Sequence, residues 1–198
     1  MIGNDIVDLK LAEVQSIWWR QGFLDKTCTT EEQAMIHRSE MPDQLLWRFW
    51  SMKESAYKSV LRLEKKIKLN PLAFQCRVID QTGGRVIYGD MEFNTVSSAN
   101  DDFVNTIAYS ASFEKSLHER TIRIDPTENP SKMLRQAVIE FNSRQMGCGE
   151  NEMEIRKNPL GIPELYLSGE KTPAMMSLSH HGRYGSFVIT NRGQLRDI

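Results

Sequence analysis

From Asp43 to Leu63 the chain reads as one long amphipathic helix, and the charges beside its apolar face constrain the fold more than any other stretch. At about 100° per residue, Leu46, Phe49, Trp50, Tyr57, Val60 and Leu61 form one stripe, with Lys53 near its middle and Glu54 and Lys58 on its flank. The segment WSMKESAYKS, residues 50–59, thus carries ionisable groups at the border of a core, where an unpartnered carboxylate is costly. Glu54 therefore needs a lysine, a hydrogen-bond donor or a metal ion. One reading is an ion pair with Lys58, four residues on and in the favourable order.

The other segments predict an alternation of strands and helices in two unequal parts. IGNDIVDL has the β-branched run of a strand, and TTEEQAMI starts a helix with Thr29 or Thr30 as its cap. After the long helix the period changes to two. AFQCRVID, the turn QTGG and RVIYGDMEF predict a hairpin in which Gly83 and Gly84 take positive φ, and FVNTIAYSASF is a third strand. PTENP, residues 126–130, is the clearest linker, which divides the chain into residues 1–125 and 126–198 acting as one functional unit. Beyond it, SKMLRQAVIEFNSRQMG reads as a helix started by Pro130 and ended by Gly147, and MSLSHHGRYGSFVI as a turn between short apolar segments.

Composition excludes several classes of function. With 40% hydrophobic and 26% charged residues in 198, the chain suffices for one sizeable domain or two small halves. A net charge of −1 argues against a protein that binds nucleic-acid backbone or an anionic membrane. Cys28, Cys76 and Cys148 are odd in number and widely separated, which argues against a disulfide framework and a zinc site. MIGNDIVDLK lacks the basic start and apolar run of a signal peptide, and no apolar stretch approaches membrane-spanning length, so the expected location is the cytoplasm.

Two further stretches complete a candidate site. In an extended GNDIVDL, Asp5 and Val7 point to one face and Asp8 to the other. Asp5 reads either as a turn cap or as half of a sparse oxygen-ligand set with Glu54, the kind Mg²⁺ accepts while keeping waters and substrate phosphate oxygens. Ser179, His180, His181 and Gly182 could supply phosphate donors, or the histidines are a surface pair.

Taken together, GNDIVDL, WSMKESAYKS and SLSHHGRYGSFVI resemble the three signature segments of the 4'-phosphopantetheinyl transferase superfamily. The resemblance implies an α+β fold of two similar halves forming a pseudodimer. In the larger, surfactin-synthetase-activating type the SHxG segment closes the first half and the acidic and lysine-helix segments open the second. Here the order is swapped, which implies permuted halves with the site between them and a chain able to act as a monomer. The implied reaction moves the phosphopantetheine arm from coenzyme A to a serine of an apo acyl or peptidyl carrier protein and releases adenosine 3',5'-bisphosphate. By resemblance, Asp5 and Glu54 are the Mg²⁺ ligands, Lys58 lies near the pyrophosphate and the reacting serine, Lys53, which precedes the metal-binding glutamate, counts with Lys58 among the coenzyme A-binding residues, and Ser179 and His180 contact the phosphates of coenzyme A. Glu54, a water on the metal and Lys58 all stand as groups able to take the serine proton.

Val7 occupies the place where larger members often carry a second metal-binding acid, which implies that water replaces that ligand. GIP at residues 161–163 replaces a frequent GKP, leaving Arg48, Lys157 and Arg183 as substitutes for a lost phosphate contact or as solvated surface charge. Lys65, Lys66 and Lys68 form a basic run suited either to steering an acidic carrier or to a solvated helix end. Two other functions fit the same residues: a metal-dependent phosphodiesterase or nuclease, and a coenzyme A-binding protein without transfer activity.

Overall fold

In the computed structural model, which describes residues 1–64, 67–110, 113 and 116–190, two antiparallel sheets of five strands share one connectivity. The first contains β1 (Ile2–Asp8), β2 (Gln75–Val78), β3 (Gly83–Tyr88), β4 (Met91–Ala99) and β5 (Phe103–Ser110) in the order β1-β5-β4-β3-β2. The second contains β6 (Leu117–Arg123), β7 (Met153–Lys157), β8 (Pro163–Leu167), β9 (Glu170–His181) and β10 (Tyr184–Thr190) in the order β6-β10-β9-β8-β7. In each half a lone strand is followed by a helical segment and then by a four-strand meander whose last strand returns to pair with the first. The mixed α+β architecture of two similar halves is the one expected. Because β6 pairs with β10, the change of sheet lies between Ser110 and Leu117, ahead of the expected division at residue 125.

Four helices, α1 (Leu9–Gln15), α2 (Phe23–Thr27), α3 (Thr30–Arg38) and α4 (Pro42–Val60), belong to the first half, and α5 (Pro130–Met146) to the second. Thr29 caps α3 in a capping box with Glu32, while Pro42 and Pro130 sit in the first turns of α4 and α5. On α4, Leu46, Phe49 and Val60 are buried as the stripe predicted, and Trp50, Tyr57 and Leu61 are half-buried. A second stripe decides how closely the helix docks. Ser51, Ser55 and Ser59 face β1 and β5, with hydroxyls donating to the carbonyls of Asp5 (2.9 Å), Thr106 (2.9 Å) and Ala108 (3.4 Å) respectively. Gly3 completes the contact, since a Cβ there would lie 2.1 Å from the carbonyl oxygen of Ser55.

The hairpin reading of residues 75–93 needs two corrections. RVIYGDMEF is broken by Gly89 at φ +55°, which separates β3 from β4. Gly83 and Gly84 have no positive φ. The turn ahead of them is an Asx-type turn in which Asp80 Oδ1 accepts from Thr82 N and Gly83 N, and at Gly84 space is tight, because a Cβ there would lie 2.9 Å from Thr95 Oγ1 and 3.0 Å from the carbonyl oxygen of Arg77.

The two halves meet where an unpaired strand edge would otherwise be exposed. β1 pairs with β5 on one side only. Along its other side the N–H groups of Asn4, Ile6 and Asp8 donate to Ser177 Oγ (3.1 Å), Ser179 Oγ (3.4 Å) and His181 Nδ1 (3.0 Å). Alternate side chains at the C-terminal end of β9, from Ser177 to His181, thus serve as backbone acceptors for β1, which satisfies buried donors without a continuous sheet. Ile2, Ile107 and Val188 form a small apolar cluster across the joint, and Arg62 donates to the carbonyls of Ile2 and Met176, one from each half. Among the described residues no helix is long and apolar enough to cross a membrane.

Candidate active site

A cleft of about 460 Å³ opens at this joint, lined by Asp5 from β1, Glu54 and Lys58 from α4, and Ser179, His180 and His181 from β9. Close docking of α4 on Gly3 carries Lys58 over the strand, where its ammonium donates to Asn4 O (2.8 Å), Asp5 Oδ1 (3.0 Å) and Ser179 Oγ (3.1 Å). Ser179 in turn donates to Asp5 Oδ1 at 2.8 Å. The lysine's three protons and the serine's single proton are all engaged, so one knot holds α4, β1 and β9 together. The intrahelical Glu54–Lys58 pair does not form. Lys58 turns to Asp5, and Glu54 is left facing the cleft with no hydrogen bond or ion pair from a described residue.

That arrangement has an electrostatic signature. Burial, with the nearby charge of Asp5 adding to it and Lys58 opposing it, raises the pKa of Glu54 to about 7. Two carboxylates share one wall with too little positive charge between them. Asp5 Oδ2 and both oxygens of Glu54 have no donor among the described residues, and an oxygen-only set of two carboxylates that leaves room for water and phosphate is what Mg²⁺ accepts. The residues fit such an ion. No group of three or more His, Cys, Asp or Glu side chains able to hold a metal occurs among the described residues.

The end of β9 completes the lining with Ser179, His180 and His181, and the turn that follows it packs on β1. Gly182, at φ +54°, passes so close to Asp8 that a Cβ would lie 2.5 Å from Asp8 Oδ2. Asp8 is fully buried, caps α1 through Leu11 N, and accepts from Arg183 N (2.9 Å), Nε (2.8 Å) and Nη2 (2.7 Å). Burial alone would raise its pKa, but these hydrogen bonds outweigh burial and hold it at about 2. His180 lies on the other face of β9, with Nε2 3.3 Å from Ser131 Oγ in the first turn of α5. Partial desolvation, together with Lys58 and His181, keeps the pKa of His180 below its ordinary value.

Asp5, Glu54, Lys58, Ser179 and His180 are therefore brought together, and Lys53 is not. Its side chain is 1% exposed and points into the first core, where the ammonium meets Glu32 at 2.7 Å and Pro71 O at 2.9 Å. One residue along a helix turns the side chain by about 100°, so Lys53 and Glu54 face different surroundings. The coenzyme A-binding role expected of Lys53 is corrected to that of a buried structural partner of Glu32. Of the proposed substitutes for the missing lysine, Arg48 donates to Gly83 O (2.9 Å), Arg183 is held by Asp8 and Asp102, and Lys157 is an exposed residue of β7. None of the three lines the cleft. Lys65 and Lys66 lie outside the described residues. The sequence reading missed Asp8, Gly3, His181 as a backbone partner, and the aromatic side of the cleft made by Phe23, Trp47 and Trp50. The four-residue spacing of Ser51, Ser55 and Ser59 was the available signal for the docking face.

Two carboxylates, a lysine and two histidines thus meet in one cleft between two α+β halves. Residues 1–108 match the family model of the 4'-phosphopantetheinyl transferase superfamily, and the chain belongs to that superfamily. Among solved structures, the Helicobacter pylori holo-acyl-carrier-protein synthase in complex with coenzyme A is similar at 14% identity over 96% of this chain and 100% of that one, with a TM-score of 0.28. No curated protein sequence matches the chain.

Proposed function

We propose that this protein transfers the 4'-phosphopantetheine arm of coenzyme A to a serine of an apo acyl or peptidyl carrier protein, releasing adenosine 3',5'-bisphosphate. The observation that carries the reading is the convergence of Asp5, Glu54 and Lys58 from one half with Ser179, His180 and His181 from the other on a single cleft. Both walls come from one chain, which supports a permuted pseudodimer active as a monomer.

Asp5 Oδ2 and Glu54 are the groups to hold Mg²⁺, which when bound neutralises charge on the diphosphate and orients it for in-line displacement. Lys58 and Ser179 fix Asp5 by occupying its Oδ1, so the oxygen turned to the ion is predetermined. Glu54, with a pKa of about 7 before a cation is bound, is poised to give up its proton when one binds. Lys58 becomes available to a phosphate oxygen by releasing one of its three acceptors. His180 and the β9–β10 turn offer donors to the phosphates of the nucleotide.

The test is a mass measurement. The purified protein is incubated with coenzyme A, Mg²⁺ and a panel of folded apo carriers drawn from fatty-acid, polyketide and peptide synthesis. A phosphopantetheine-sized gain on at least one carrier is expected. Tight coenzyme A binding without any gain would favour a binding protein that lacks transfer activity.

A further inference from the structure

The two adjacent histidines of SLSHHG face different ways, and only one of them shares a face with the carboxylates. Side chains alternate along a strand. Leu178 packs among the apolar residues that α5 covers, and His180 reaches Ser131 on α5. Ser177, Ser179 and His181 turn the other way, onto β1. Ser179 touches Asp5 directly, and His181 lies two residues further along the same face, about 6.6 Å on at strand spacing.

We infer that His181 is a second phosphate-binding residue, donating from Nε2 to the diphosphate held against Asp5 and Glu54; this rests on the transferase reading. Its tautomer is set by the backbone. Nδ1 accepts the N–H of Asp8 at 3.0 Å, so the neutral ring carries its proton on Nε2, and Nε2 has no partner among the described residues although the ring borders the cleft. The donor is directed from three sides. Asp8 is immobilised by the bidentate Arg183 and by its cap on α1, and Gly182 leaves the turn pressed against the Asp8 carboxylate.

Two substitutions separate binding from scaffolding. In His181→Asn, Oδ1 replaces Nδ1 as acceptor for Asp8 N, but nothing reaches the position of Nε2. In His181→Gln, the amide nitrogen reproduces the Nε2 donor and the backbone acceptor is lost. Calorimetric titration in Mg²⁺ with coenzyme A and with 3'-dephospho-coenzyme A, beside melting curves, reads out both. His181→Asn is expected to melt like wild type and to bind both ligands about tenfold or more weakly, the size of a hydrogen bond to a charged group. His181→Gln is expected to melt lower and to keep most of its affinity. If the Asn variant binds as wild type does, or weakens for coenzyme A alone, the diphosphate assignment is overturned. Failure of the wild type to bind either ligand would instead remove the transferase reading and this inference with it.

Discussion

Glu54 should lower the stability of the metal-free protein at neutral and alkaline pH, and Glu54→Gln should recover what it costs. The folded carboxyl has a pKa of about 7 against 4.5 for the ordinary group, so folding favours its protonated form. The penalty is absent at low pH, grows as pH rises above the unfolded value of 4.5, and is complete once pH passes about 7. The whole rise, at about 1.4 kcal/mol per pKa unit, sets an upper limit of roughly 3.5 kcal/mol. Glu54 is only partly buried, so solvent screening reduces that to about 1–2 kcal/mol. For a chain of this size the gain corresponds to about 3–6 °C in Tm. Thermal melts followed by circular dichroism in chelator at pH 4 and pH 8 measure it. The glutamine variant should melt higher at pH 8 and together with wild type at pH 4. Mg²⁺ added at pH 8 should raise the wild type far more than the variant. Equal melting at pH 8 without metal would refute the argument that Glu54 faces an uncompensated carboxylate.

Three other outcomes follow from the same geometry. Lys53→Met leaves the carboxylate of Glu32 buried with backbone donors only and should cost about 3–5 kcal/mol in urea unfolding; coenzyme A affinity of the folded variant should be unchanged, and a loss would return Lys53 to the site. Asp8, with its pKa at about 2 rather than 3.8, contributes stability above the unfolded value that is lost as pH falls through the folded one. Asp8→Asn should therefore be less stable by about 1–2 kcal/mol at pH 7, a difference that shrinks towards pH 2 and that pH-dependent denaturation measures. Specific activity should persist on dilution while light scattering reports a monomer, since both walls of the cleft come from one chain; activity that vanishes as an oligomer dissociates would place the site between chains.

What could be read without the structure were features that live in local spacing. The stripe on α4, the cap at Thr29, the proline that opens α5 and the glycine that ends it depend on residues within a turn or two of one another, and each lies where expected. The three signature segments also identified Asp5, Glu54, Lys58, Ser179 and His180, and the fold gathers them into one cleft. Partner choice was not legible. Whether Lys58 pairs with Glu54 four residues away or with Asp5 fifty-three residues away depends on Gly3 letting α4 settle onto β1, which no helical wheel contains. Lys53 and Glu54 are neighbours in sequence, yet one ammonium is buried against Glu32 and the other side chain opens to the cleft, because the packing on each side of the helix comes from distant strands and loops. The pattern SLSHH reads as two equivalent histidines until β9 lies along the free edge of β1. Period two then turns His181 onto the backbone of Asp8 and His180 towards α5. Local propensity determined the elements, and the tertiary joint between two halves decided which charges meet, since a buried donor or carboxylate takes the partner that packing brings within reach.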